Sequence, residues 1–350
     1  MALEKFREIV ANKHDYAKQW KARTGGKVFG YLCCYMPEEI VYAAGILPVR
    51  IIGGHEPQEL TGPYIYSSMF CPFCRNCLAE GLKGHYDYLD GVTLGKSCYH
   101  MRHTFDSWRY HLPISFYYFI SVPQRADNPA AQRFLAAELE EFKKALEEYV
   151  GKPISREALE KAIEVYNTNR RLLSQLYELR KSDSPPVSGA ETLEIVLSSM
   201  FMDKEEHNRL LAEALEELPK RPDPPKPGSR LMVVGGENDE AELLSLVEDL
   251  GAIFVTDDAC MGTRYFGTEV LPQEDLVSAI ATRLLAKPPC PLKDVFFERR
   301  RAGLLQQIKD YRVEGVLFHQ QKFCDPHELD IPVLQKVCNE NNIPNFFVEL

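Results

Sequence analysis

The 350-residue sequence has no apolar run near the roughly 20 residues that a membrane-spanning helix needs. It has little concentrated positive charge: Lys and Arg total 41 against 51 Asp and Glu, a net charge of −10, and the densest basic run is RRR at 299–301. Phosphate backbones and anionic membrane surfaces need a basic face, so neither nucleic acid nor membrane is expected as a partner. RRR itself reads as a solvated helix face. The N-terminal MALEKFREIVANKH follows an amphipathic helical pattern and lacks the charged cap and apolar core of a signal peptide, so a cytoplasmic protein is expected. No GxxxxGK[ST] occurs, and GGEND at 235–239 is not a P-loop, so any ATP is used elsewhere.

What the chain does have is ten cysteines, three of them in SSMFCPFCRNCL at 67–78. In a reducing compartment thiols point to burial, metal or redox chemistry before disulfides. A zinc site prefers paired CxxC knuckles far apart, and only one such run exists here. The ferredoxin run C-x2-C-x2-C-x3-C-P matches at three positions, but Gly81 stands where its fourth cysteine belongs. On a helix, Cys71, Cys74 and Cys77 share a face yet climb along it, so they do not all converge on one small ion.

The alternation of elements supplies the setting. VFGYLCCY, ILPVRII and YDYLDGVTLG read as strands, PEEIVYAAG as a helix, and Ser67 and Ser68 as caps for a helix through Leu82. Residues 1–122 form an N-terminal α/β domain on this reading. Residues 123–228 are a helical segment, strongly periodic in AAQRFLAAELEEFKKALEEYV and SREALEKAIEVYNTNRRLLSQLYELRK, ending in the proline-rich linker LPKRPDPPKPG. Residues 229–350 return to strand–helix alternation through RLMVVGG, AIFVTDD, GVLFHQQ and NFFVEL. The fold class is α/β: two parallel-sheet, flavodoxin- or Rossmann-like domains joined by helices, with a crevice between them. GVTLGKSC at 91–98 and GVLFHQQKFC at 315–324 echo each other, each delivering a cysteine just past a strand, at the edge where open parallel sheets bind ligands. Two readings stay open for these thiols: buried structural cysteines, or a cluster held from several segments by Cys71 at a helix start, Cys98 and Cys324.

The motifs YLCCYMPEEIVYAAGILPVRI, FCPFCRNCLAEGLKGHYDYLDGV, SCYHMR, VTDDACMGTRYF and FCDPHELDIPVLQ, in that order, resemble the D-component family of 2-hydroxyacyl-CoA dehydratases and ATP-dependent benzoyl-CoA reductases. The resemblance implies a [4Fe-4S] cluster between the two domains, held by Cys71, Cys98 and Cys324. It also implies a homologous second subunit and a separate ATP-hydrolysing iron–sulfur electron donor, which agrees with the missing nucleotide motif. Tyr99 stands where relatives commonly carry Asp, and relatives usually continue past the strand that ends at Leu350, which leaves truncation of the chain an open question.

Both branches of the family add an electron to a thioester-conjugated system. A dehydratase makes a ketyl that expels the 2-hydroxyl, whereas a reductase adds further electrons and protons to an aromatic ring. MFCPF, CYH and RYF place aromatic side chains beside the cysteines, which tilts the expectation toward a benzoyl-CoA reductase-type subunit acting on an aromatic acyl-CoA. A 2-hydroxyacyl-CoA dehydratase subunit and a non-catalytic relay or cluster-storage subunit are the alternatives. Past the strand AIFVTDD, Asp258, Arg264 and Tyr265 are candidate substrate contacts, since an arginine fork suits a CoA phosphate or carboxylate. The other reading of that loop is an internal Asp–Arg pair. His100 and His103 have the pKa range of a proton donor, and equally the habit of packed histidine. Cys33, Cys34, Cys290 and Cys338 read as core.

Overall fold

Two four-stranded parallel sheets organise the chain, and both use the same strand order. The computed structural model describes residues 2–54, 58–65, 69–293 and 297–350. The first sheet contains β1 (Lys27–Tyr31), β2 (Ile46–Arg50), β3 (Gly91–Gly95) and β4 (Phe116–Ile120), ordered β2-β1-β3-β4. The second contains β5 (Ser229–Gly235), β6 (Ala252–Asp258), β7 (Gly315–Gln320) and β8 (Asn345–Glu349), ordered β6-β5-β7-β8. Counted within its own sheet, each reads 2-1-3-4, and every pairing is parallel. The echo between GVTLG and GVLFHQ therefore has a structural basis, because β3 and β7 are the third strand of each unit.

Helices cover both faces of a parallel sheet, so its inner strands are apolar without alternation. Accordingly the inner strands β3 and β7 are buried at every residue, and so is the edge strand β2. At the end of β3 the backbone packs tightly: a Cβ on Gly95 would lie 2.3 Å from the carbonyl oxygen of Tyr35. In such a sheet the order reverses between the first and third strands, and ligands bind beyond the carboxyl ends at that switch. The segments leaving β1 and β3 carry Cys33, Cys34 and Cys98, and those leaving β5 and β7 carry Gly236 and Cys324.

The middle of the chain is helical: Pro129–Val150, Arg156–Leu179, Gly189–Ser198 and Lys204–Glu217. Side-chain caps fix where these begin, with Asn128 accepting from the N–H of Ala130 and Ser155 from that of Ala158, while Ser188 and Glu191 form a reciprocal capping box. The N-terminal helix Ala2–Ala11 buries Phe6 and packs on Gly189–Ser198. Residues 221–228 carry no helix or strand, as their prolines dictate.

Buried polar contacts join the carboxyl ends of the two sheets. Arg50, at the end of β2, donates to Oε1 of Glu237 beyond β5 at 2.6 Å, and Lys287 Nζ donates to the carbonyl of Cys34 beyond β1 at 2.6 Å. The RRR run departs from its expected solvated face. The side chain of Arg300 is 1% exposed and sits between Asp258 at 2.6 Å and Asp330. Two carboxylates supplied by the strand end and the facing helix make that burial tolerable, whereas Arg301 remains exposed.

Candidate cysteine centre between the sheets

Cys71, Cys98 and Cys324 share one local geometry: each is the N-cap of a helix, respectively Pro72–Leu82, Tyr99–His111 and Asp325–Glu340. Pro72 and Pro326 favour these starts, since proline suits a first turn where its missing N–H has no partner to lose. Ser67 and Ser68, expected as the caps before Leu82, lie outside the described residues; the helix begins at Pro72 with Cys71 capping it. At Cys98 the sulfur accepts from the N–H of Met101 at 3.5 Å. Helix N-termini present unpaired N–H groups and the positive end of the macrodipole, so all three sulfurs stand where thiolate is favoured.

The three starts converge. The Cys71 thiol lies near enough to those of Cys324 and Cys74 to shift its titration, and Cys74 to that of Cys98, giving a chain of four interacting thiols drawn from both sheets. Bonds from Cys324 and Cys74 hold Cys71 far below the usual thiol range, and the bond from Cys74 lowers Cys98. Cys74 is pushed up, by burial first and by its thiol neighbours second. The group thus concentrates negative charge on Cys71 and Cys98, while Cys324 is pushed up by its bond to Cys71 and by burial. All four are free thiols. Cys77 is separate: its sulfur lies 3.8 Å from the carbonyl oxygen of Ile51 inside the core.

The surroundings suit a sulfur-ligated cluster. Gly236 borders Cys324, and a Cβ there would approach the Cys324 sulfur to 4.0 Å and Cδ2 of His327 to 3.2 Å. Nδ1 of buried His327 has no hydrogen-bond partner among the described residues. Room kept by a glycine, an unmatched buried imidazole atom and three thiols at positive helix ends fit an anionic iron–sulfur group better than a closed apolar core.

His100 completes the centre, and its signal in the sequence was only its place two residues after Cys98. Its Nδ1 accepts from the backbone N–H of Cys71 at 3.1 Å, its ring stacks on Phe70 at 4.2 Å, and Nε2 lies 3.9 Å from the Asp325 carboxylate. The Cys71 thiol, and then Asp325, raise its pKa. A cavity of about 490 Å³ opens beside it, lined by Phe70, Tyr99, His103, Tyr110 and His111 among others. Tyr99 and Tyr110 are largely exposed at 79% and 87%, so this aromatic wall faces outward.

The three candidate substrate contacts turn inward. Arg264 donates to Asp258 Oδ1 at 2.6 Å and to the carbonyls of Gly235 and Asp258, and Nη1 stands 3.5 Å from Nε2 of His327. It therefore buttresses the helix that Cys324 starts. The Tyr265 hydroxyl donates to Glu38 at 3.0 Å and accepts from Lys204 at 2.8 Å. Partly buried Cys260 joins buried Cys34 and Cys33 in a second thiol group, where Cys34 is lowered by bonds from Cys260 and Cys33. Cys338 lies in the small core under the second sheet.

The family model described as 2-hydroxyglutaryl-CoA dehydratase, D-component, matches residues 33–350. The chain is 30% identical to one of the subunits of benzoyl-CoA reductase from Thauera aromatica, over 94% of its own length and 86% of that protein. It is 27% identical to the (R)-phenyllactyl-CoA dehydratase beta subunit of Clostridium sporogenes, over 98% of this chain and 91% of that one. It is also 27% identical to the beta subunit of (R)-2-hydroxyglutaryl-CoA dehydratase from Acidaminococcus fermentans, over 98% and 92%. Among the described residues no helix is long and apolar enough to cross a membrane.

Proposed function

Because the chain belongs to the 2-hydroxyglutaryl-CoA dehydratase D-component family, we propose that it is the iron–sulfur subunit of a benzoyl-CoA reductase-type enzyme that reduces an aromatic acyl-CoA. The observation that carries this reading is the convergence of three helix-capping cysteines from both sheets. In it, Cys71, Cys98 and Cys324 hold a [4Fe-4S] cluster, which when bound supplies single electrons of low potential. Three protein ligands rather than four leave the cluster one side to act from, by the logic that separates open from closed metal sites.

The protein's own residues set the conditions around it. Cys71 N–H fixes the orientation of His100, and the Asp325 carboxylate faces the other ring nitrogen, so an imidazole proton is held at the mouth of the centre. The aromatic cavity beside His100 receives the acyl group, and its outward opening admits a long thioester arm. In the loop with Asp258, Arg264 and Tyr265, Arg264 acts as a positioning residue behind Cys324 through His327. A homologous second subunit and a separate ATP-hydrolysing iron–sulfur donor belong to the reading, supported by the lack of a P-loop and by relatives named as subunits. The work would be done in the cytoplasm.

A dehydratase reading has its own support, because His100, His103 and His111 put imidazole donors into the cavity where a 2-hydroxyl would lie. Anaerobic reconstitution with a partner subunit and donor, offered benzoyl-CoA and 2-hydroxyacyl-CoA thioesters separately, decides between them. Dienoyl product from benzoyl-CoA is expected. Exclusive enoyl formation reverses the order, and a colourless, iron-free chain removes both.

A further inference from the structure

Away from the thiols, His14, Glu80 and His85 bring three ligand atoms within 4.8 Å of one another. They arrive from three segments: the start of the helix Lys13–Thr24, the last turns of Pro72–Leu82, and the turn that follows it. We propose that these residues form a binding site for a divalent transition-metal ion, with zinc as the reference ion, separate from the cysteine centre.

Two imidazoles and one carboxylate are a complete donor set for such an ion, bound at roughly 2.0–2.2 Å with a further position open. Each donor is already held in place. The Tyr88 hydroxyl is 3.2 Å from Nδ1 of His14, which leaves Nε2 for the metal, and the edge of the Tyr86 ring fixes the His14 plane at 4.6 Å. Such a partner on the second ring nitrogen is the usual support of a metal-bound histidine. Glu80 is only 5% exposed, and the backbone presses so close that a Cβ on Gly54 would stand 2.6 Å from Oε1. Its Oε2 is 2.7 Å from Nδ1 of His85. His85 is half exposed, so the open position faces solvent and the ion has a way in. The Lys83 ammonium, 3.7 Å from Oε1, occupies the charge position that the ion would take over.

Burial and Lys13 lower the His14 pKa to about 4, so its imidazole is neutral at physiological pH, the form that ligates. Glu80 and Cys71 belong to one helix and its cap, so an ion here clamps the far end of the element that presents the first cysteine, and ties it to the N-terminal helices. This inference does not depend on the proposed reaction.

The test uses the full chain with its iron loaded anaerobically, equilibrated with Zn2+ or Co2+ and measured for metal content and visible absorption. A single equivalent of zinc is expected. His85→Ala and His14→Ala should lose it with iron unchanged, and Tyr88→Phe should weaken binding about 10- to 100-fold, as outer partners of metal ligands do. His85 is half exposed, so its replacement leaves the fold intact. Cobalt should give weak visible bands without the intense sulfur-to-metal band of thiolate ligation. Unchanged zinc content in either histidine variant, a sulfur-to-cobalt band, or no binding at micromolar free zinc overturns the proposal.

Discussion

The backbone N–H of Cys71 donates to Nδ1 of His100 at 3.1 Å, so the first capping cysteine and the helix begun by Cys98 are tied into one unit. Outer-shell partners of metal ligands commonly matter by about 10- to 100-fold. His100→Ala should therefore release iron faster by that order and alter the electron paramagnetic resonance of the reduced protein. His100→Gln, whose side-chain oxygen can accept from the same N–H, should recover most of the retention. Equal loss in both variants would show that the hydrogen bond is not what matters.

Replacing cysteines separates centre from core. Cys324→Ala, at a helix cap, should abolish the brown colour and most of the iron expected of a cluster with about four irons. Cys77→Ala should keep both, because its sulfur points to the Ile51 carbonyl in the core. Iron analysis of the two proteins side by side is sufficient, and iron retained by Cys324→Ala would exclude Cys324 as a ligand.

The buried charges behind the centre should be costly to break. Arg300 bridges Asp258 and Asp330, with 1% or less of the Arg300 and Asp330 side chains exposed. Arg300→Met leaves buried Asp330 without its cation and Asp258 with Arg264 alone, and should cost about 3–5 kcal/mol in anaerobic urea unfolding, as removing one partner of a buried pair does. Burial alone would raise Asp258, but Arg264 and Arg300 hold it down to about 2. A lowered carboxyl pKa contributes stability that is fully present above the ordinary value near 3.8 and fades as pH falls through about 2. Asp330 runs the other way, raised by burial, so Asp258→Asn is the variant that should flatten the acid limb.

Glu237 gives the opposite slope. Burial pushes it up to about 7 despite Arg50 at 2.6 Å. The native state then holds this proton more tightly than the unfolded chain, so its contribution is complete below about 4.5 and lost as pH rises through about 7. Glu237→Gln should make thermal stability less dependent on pH between about 5 and 8. A profile identical to that of the parent would rule Glu237 out as the titrating group.

The strands were legible because strands of a parallel sheet covered on both faces are nearly continuous apolar runs, and seven of the eight coincide with stretches such as ILPVR, GVTLG and GVLFHQ. β4 was not, since FYYFI follows a helix, Tyr99–His111, that the sequence hides behind alternating histidines and aromatics. Leu276–Ala286 was missed as well, a short buried helix announced only by its Asp275 cap. At the site, the cysteines past strand ends stood out. The roles of His100 and Arg300 did not, because both depend on partners far away in sequence: Cys71 for one, Asp258 and Asp330 for the other. A run of three arginines looks solvated until one acquires two carboxylates.

The three helix caps also dictate an order of maturation. Cys71 and Cys98 come from the first sheet's unit, while Cys324 lies near the other end of the chain, beyond β7. No product of synthesis shorter than 324 residues carries all three sulfurs, because the last follows β7, the third strand of the second sheet. Whatever these thiols hold is thus a late arrival that reports on completed folding of both halves, and a delivery system that acted earlier would find the receptacle with one wall missing.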